Sequence, residues 1–176
     1  MEKVIKKLQD DKHYYGKFGQ KYLSNSDIDA LINNPYNFHQ PKSQSLPFLY
    51  GSAFHEMVMF GKSDNMESIE SSTRTTKIYK QAILDSGKEI ILLQKEADEI
   101  LNMVDVFKSN DNIKEVLNTK NIQFEVPSVG FMTDNDIPWK GKADIITDDF
   151  VYDIKTCSKL KSFRNSSRSY NYDSQA

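Results

Sequence analysis

The sequence predicts an α/β fold: a central mixed β-sheet that includes an antiparallel hairpin, flanked by helices, in a single domain over residues 1–176. Three observations predict it. Residues 138–157 (PWKGKADIITDDFVYDIKTC) hold two short runs of alternating side chains on either side of Thr147-Asp148-Asp149, the pattern of two strands joined by a turn. Residues 96–108 set Ala97, Ile100, Leu101, Val104 and Phe107 at helical spacing, an amphipathic helix whose apolar stripe is core. Between and before them, EIILL (89–93) reads as a buried strand. NIQFEVPSVGF (121–131) alternates Ile122, Phe124 and Val126 against Gln123 and Glu125, and would pair with the strand from Trp139.

The remaining elements follow in chain order. Residues 1–21 begin as a short charged helix with Val4, Ile5 and Leu8 on one side, then pass into His13-Tyr14-Tyr15-Gly16, an arm or an oligomer contact; His13 reads as a solvated polar residue. Ser24 caps a helix, with Asp27 three residues on completing a capping box, and that helix turns Ile28, Leu31 and Ile32 inward and stops before Pro35. FLYGSAFHEMVMF (48–60) is a helix with Phe54, Met57 and Val58 as its apolar stripe and Gly61 as its C-terminal cap. His55 lies beside that stripe, where a histidine is more often structural or solvated than a ligand. The Ser-, Thr-, Asp- and Glu-rich stretch 62–76 reads as a surface loop. A helix over 77–86 with Ile78, Ala82 and Ile83 inward closes at Gly87, and a short helix spans 113–117.

Bulk composition narrows the function classes. The chain has 176 residues, 38% hydrophobic and 27% charged, enough for one domain with a real core. Its single cysteine, Cys157, excludes a disulfide framework and any cysteine-bound metal or iron–sulfur cluster, and points to a reducing compartment. The sequence shows no apolar run near the roughly 18 residues that span a bilayer and no signal peptide, so a cytoplasmic protein with no membrane partner is expected. The net charge of −2 gives nucleic-acid binding no support from the chain as a whole; such contact would need a local patch. One patch exists. From Lys155 to Tyr172 there are five cations (Lys155, Lys159, Lys161, Arg164, Arg168) and no acid, interleaved with serines, Phe163, Tyr170 and Tyr172. A solvated basic loop has the same composition, but this one leaves the hairpin directly, and cations with hydroxyls and aromatics suit phosphate.

The hairpin carries the chemistry. If Asp148-Asp149 is a two-residue loop, Thr147 faces Phe150 and counting outward sets Asp144 opposite Asp153. Directly opposed side chains have Cβ atoms about 5 Å apart. Two carboxylates that close repel unless a cation lies between them, and a hard divalent ion takes carboxylate oxygens. Lys155 would lie one step along the same face. Asp-Asp is a weaker hairpin signal than Asp-Gly, and a slip of one residue would move one acid to the other face. Glu125 reads equally as a solvated strand residue or as a further acid near the ion.

Asp144 followed after a turn by Asp153-Ile154-Lys155 resembles the core of the PD-(D/E)XK nucleases. The wider order of motifs is similar to the RecE-like (exodeoxyribonuclease VIII-type) and RecB-like exonuclease branch: Leu-Ser-Asn-Ser…Asn-Pro-Tyr-Asn-Phe, then Gly51-Ser-Ala-Phe-His55-Glu, the amphipathic helix, the hairpin, and the basic segment with Tyr172 and Gln175, covering about residues 22–176. The resemblance implies a restriction-endonuclease-like core and a Mg2+- or Mn2+-dependent deoxyribonuclease. It implies His55, Asp144, Asp153 and the carbonyl of Ile154 as metal ligands, with Glu125 as a further acid, and Lys155 and Gln175 beside the two aspartates as catalytic residues. Lys159, Lys161, Arg164, Arg168 and Tyr172 would contact double-stranded DNA. It further implies 5′–3′ degradation of duplex DNA by a ring-shaped homo-oligomer in phage-type recombination, in the bacterial or phage-infected host cytoplasm, alongside a RecT-like single-strand annealing protein. Relatives continue past the glutamine as a helix and strands, whereas this sequence stops at Ala176, so a truncated domain is one expectation. The competing expectations are an endonuclease or repair nuclease of the same fold, a catalytically silent DNA-binding or assembly module, and a purely structural hairpin.

Overall fold

Capping chemistry sets the helix boundaries. α1 (Glu2–Leu8) and α2 (Asp11–Tyr14) are separated by Asp10, whose carboxylate accepts from the Lys12 amide at 2.9 Å. α3 (Asn25–Asn33) starts where Asp27 accepts from the Ser24 amide at 2.8 Å and the Ser24 hydroxyl at 2.6 Å, and it ends short of Pro35. α4 (Leu46–Phe60) closes at Gly61, whose φ of 73° is the left-handed cap that glycine adopts without strain. α5 (Lys77–Ser86) starts on the Thr76 hydroxyl, which accepts from the Tyr79 amide. Asn110 ends α6 (Gln94–Ser109) and starts α7 (Asp111–Leu117) by accepting from the Asn112 and Ile113 amides. α8 (Phe163–Ser169) follows a short 3-10 turn at Leu160–Ser162. The computed structural model describes residues 1–40, 45–132 and 136–169, so Tyr172 and Gln175 lie outside the described residues.

The described residues form eight α-helices and two small sheets, a mixed α/β arrangement, rather than one central mixed sheet. β1 (Met66–Ile69) pairs parallel to β2 (Ile90–Leu93), in register Met66 with Ile90 through Ile69 with Leu93. A parallel pair needs a long crossover, and α5 lies in it. β3 (Gln123–Met132), β4 (Ile137–Ile146) and β5 (Val151–Tyr152) form an antiparallel sheet in that order, with short connections. No described helix is long and apolar enough to cross a membrane.

The chain divides into two compact units, Met1–Lys42 with Lys120–Asp153 and Cys157–Ala176, and Ser43–Thr119 with Ile154–Thr156. In the second, all four β2 side chains are buried, as the apolar run predicts, and Leu49, Ala53, Phe54, Val58, Ala97, Ile100 and Val104 of α4 and α6 join the core. Each such aliphatic side chain contributes roughly 1.5–3 kcal/mol when fully buried. Three expectations are corrected here. The stretch 62–76 is not all loop, because Met66–Ile69 pairs with β2; its polar composition hides a strand whose side chains are only half-buried. α5 turns Tyr79 inward, leaving Ile78 and Ile83 exposed, because the Tyr79 hydroxyl donates to the Ile91 carbonyl at 2.9 Å. α6 leaves Leu101 exposed.

In the first unit the N-terminal segment is not a free arm. Leu8 is fully buried and Tyr14 nearly so, and the Lys140 ammonium of β4 donates to the Tyr14 carbonyl at 2.7 Å. This is why Lys140, a lysine on an alternating strand, is only 6% exposed. His13 is exposed, as expected. α3 departs from its expected packing: Leu31 and Ile32 face solvent and Ile28 is half-buried.

Candidate metal centre

The hairpin adopts the predicted register. The Thr147 amide donates to the Phe150 carbonyl at 2.9 Å around the Asp148-Asp149 loop, and Ile145 pairs with Tyr152. Thr147 stabilises the turn itself, since its hydroxyl accepts from the Phe150 amide at 3.1 Å. One more step of this count sets Asp144 against Asp153, but pairing stops at Tyr152, so Asp153, Ile154 and Lys155 lie past the strand rather than within it. Asp153 is exposed, Ile154 buried and Lys155 half-buried.

On its other side β4 pairs with β3. Phe124 lies opposite Ile145 and Val126 opposite Ala143, which leaves Glu125 facing Asp144 in the same register. Glu125 has a φ of 52°, the left-handed region that a side-chain-bearing residue adopts at a cost of about 1–3 kcal/mol. Such a conformation in mid-strand persists only where surrounding contacts hold it. His55 is half-buried on α4, between the buried Phe54 and the half-buried Glu56. Within the β3–β4 unit, and among the described residues, Glu125 and Asp144 each offer a carboxylate oxygen within 4.8 Å of the other's, close enough to share an ion. Asp153 is not in that group.

The donor set in this unit is two carboxylates. Opposed ligands around an ion at about 2.1 Å lie roughly 4.2 Å apart, so a pair at this spacing closes onto a small divalent cation with little adjustment. Carboxylates suit Mg2+ and Mn2+.

Sequence reasoning missed the cation beside this group. Lys142 shares a β4 face with Asp144, two residues on. Its ammonium lies 3.2 Å from Glu125 Oε2 and 2.5 Å from Asp11 Oδ1, with the Tyr14 and Tyr15 rings at 4.6 and 5.3 Å. Burial pulls its pKa down, but the Asp11 hydrogen bond and the neighbouring Tyr15, Glu125 and Asp11 outweigh burial and hold it above the ordinary lysine value. Lys140, one pleat away, is shifted the other way: burial lowers it, Asp27 opposes, and the charge of Lys142 adds to the fall. The available signal was the alternation itself, which puts Lys140, Lys142 and Asp144 on one face; nothing in the sequence tied Asp11 to them.

The basic segment is partly helical. Lys159, Lys161, Arg164 and Arg168 are all exposed, and Arg164 and Arg168 lie one turn apart on α8. A scan against protein-family models finds no match for this chain, and a search of curated proteins finds none.

Proposed function

We propose that this chain is a metal-dependent deoxyribonuclease of the PD-(D/E)XK kind, hydrolysing phosphodiester bonds and most similar to the RecE-like exonucleases. The observation that carries the reading is the facing of Glu125 and Asp144 across β3 and β4, with Glu125 held in a strained backbone conformation. Two opposed acids destabilise a sheet. Strain spent on bringing them together points to a function that needs both, and a divalent ion between them is what the sequence resemblance implies.

In this reading Asp144 and Glu125 would hold Mg2+ or Mn2+, with His55, Asp153 and the Ile154 carbonyl as the further ligands that the resemblance implies. The ion supplies an activated water and positive charge at the scissile phosphate. Lys155 would orient the attacking water and offset the charge that develops on the phosphoryl oxygens. The exposed cations of 159–168 bind the backbone phosphates of duplex DNA and fix the strand's register without reading its sequence. Gln175 and Tyr172 would extend that contact. A 5′–3′ exonuclease working in phage-type recombination, as a ring with an annealing protein, is the specific form the sequence resemblance favours.

End-labelled linear duplex and closed circular DNA, each incubated with Mg2+, Mn2+ or EDTA, test this. Cleavage of the linear substrate alone, abolished by EDTA, is expected. Cutting of the closed circle identifies an endonuclease instead, and cleavage that persists in EDTA overturns the metal mechanism.

A further inference from the structure

We propose that Lys142 is the resident counter-cation of the acid pair, competing with a divalent ion for Glu125, and that Asp11 on the N-terminal segment sets how strongly it competes. The inference rests on the metal reading above and adds a device that tunes it.

The geometry argues this from charge balance. Glu125 and Asp144 face each other with two negative charges. The Lys142 side chain is 9% exposed, so its ammonium cannot rely on water and must be paired. It has two acids within reach, and they differ in kind. Glu125 belongs to the candidate metal site, whereas the Asp11 side chain is 69% exposed on α2 and lies outside that site among the described residues. The ammonium therefore bridges an acid of the site and an acid outside it. When a divalent ion approaches Glu125, the positive charge of Lys142 opposes it, and Asp11, at 2.5 Å, is placed to offset that charge. Tyr14 and Tyr15 stack against the ammonium and keep it from leaving to solvent.

A residue that merely props up the fold would, when replaced, weaken ion binding whatever its charge. A competing cation and its neutralising acid have opposite signs. Mn2+ binding, followed by loss of the free-ion electron paramagnetic resonance signal at low salt, reads this without turnover. Lys142→Met keeps the stem between the two tyrosines and should tighten Mn2+ about fivefold; Asp11→Asn leaves the ammonium fully charged beside Glu125 and should weaken it by a similar factor. In the double variant the Asp11 effect should vanish, since there is no ammonium left to neutralise.

Both single variants weakening Mn2+, neither changing it, or Asp11→Asn acting equally in the Lys142→Met background would each overturn the inference. If Lys142→Met does not fold by circular dichroism, Asp11→Asn decides alone: unchanged affinity overturns the proposal. Failure of the underlying reading looks different. Wild-type protein that takes up no Mn2+, or takes it up equally with Asp144→Asn, removes the metal site itself.

Discussion

Two ion pairs in this molecule look alike by distance and differ in what surrounds them. In the β1–β2 unit, Arg74 and Glu96 meet at 2.5 Å, with Glu96 only 8% exposed in its side chain. Both partners are tied further into the fold. Glu96 also accepts from the Leu93 amide at 2.8 Å, capping α6, and Arg74 donates to the Ile91 carbonyl and the Tyr79 hydroxyl. In the β3–β4 unit, Lys142 meets Glu125 at 3.2 Å, but Glu125 also faces Asp144 and sits in a left-handed backbone conformation. The first arrangement is closed onto the backbone around it and stabilises the fold; the second is open, with two facing acids beside a strained residue. Ties to the surrounding backbone mark a structural pair, and facing acids beside backbone strain mark a site.

That contrast predicts opposite outcomes for removing an acid from each place. The largest effect is expected from Asp144→Asn: Mg2+-dependent cleavage should fall about a thousandfold, while chemical melting shows stability held or raised because a repulsion is gone. A variant that both loses cleavage and unfolds would place Asp144 with the structural acids. Next comes Glu96→Ala, which strands the half-buried Arg74 guanidinium and uncaps α6. It should cost about 3 kcal/mol, near 10 °C in Tm, with Mn2+ binding unchanged in the folded protein. Retained thermal stability would mean that the Arg74–Glu96 pair does not hold the β1–β2 unit together.

The same division explains what could be read from sequence. Local rules sufficed for the helix start at Ser24, the helix over 77–86, the glycine stops at 61 and 87, the buried β2 run and the Asp148-Asp149 hairpin, because each is decided by residues within a few positions of one another. The facing of Asp144 with Glu125 was half legible: the alternation gave the faces, but the β3–β4 register is set by pairing across a connection whose turn type the sequence did not specify. Lys142 with Asp11 was not legible at all. It joins residues 131 positions apart, and short-range periodicity carries no information about which distant segment covers a strand face. Ile78 and Tyr79 show the limit from the other side. The apolar pattern favoured the isoleucine, and one hydrogen bond to the Ile91 carbonyl turned the helix to bury the tyrosine.

The smallest predicted effect separates the two clusters by pH. Tyr14, over the Lys140 and Lys142 ammoniums, and Tyr79, beside Arg74, are both buried, and burial first of all raises both phenols above their ordinary value near 10. Around Tyr14, Tyr15 and the acids Glu125, Asp27 and Asp11 push further in the same direction; around Tyr79 the Arg74 charge opposes the rise. Below about pH 9 both the folded and unfolded chains keep these protons. As pH climbs past 10 only the unfolded chain releases them, so the stability present at neutral pH is lost progressively, by up to about 1.4 kcal/mol per fully retained phenol at pH 11. The depressed Lys140 works against this in the same window, since the unfolded chain there holds the extra proton. Urea melts at pH 8 and pH 11 should therefore show Tyr14→Phe losing less stability than wild type by about 1 kcal/mol, and Tyr79→Phe by a smaller margin. Equal slopes for the two variants would mean that the acids around Lys142 do not reach Tyr14, and with it the distinction between an open and a closed charge cluster would fail at its most sensitive point.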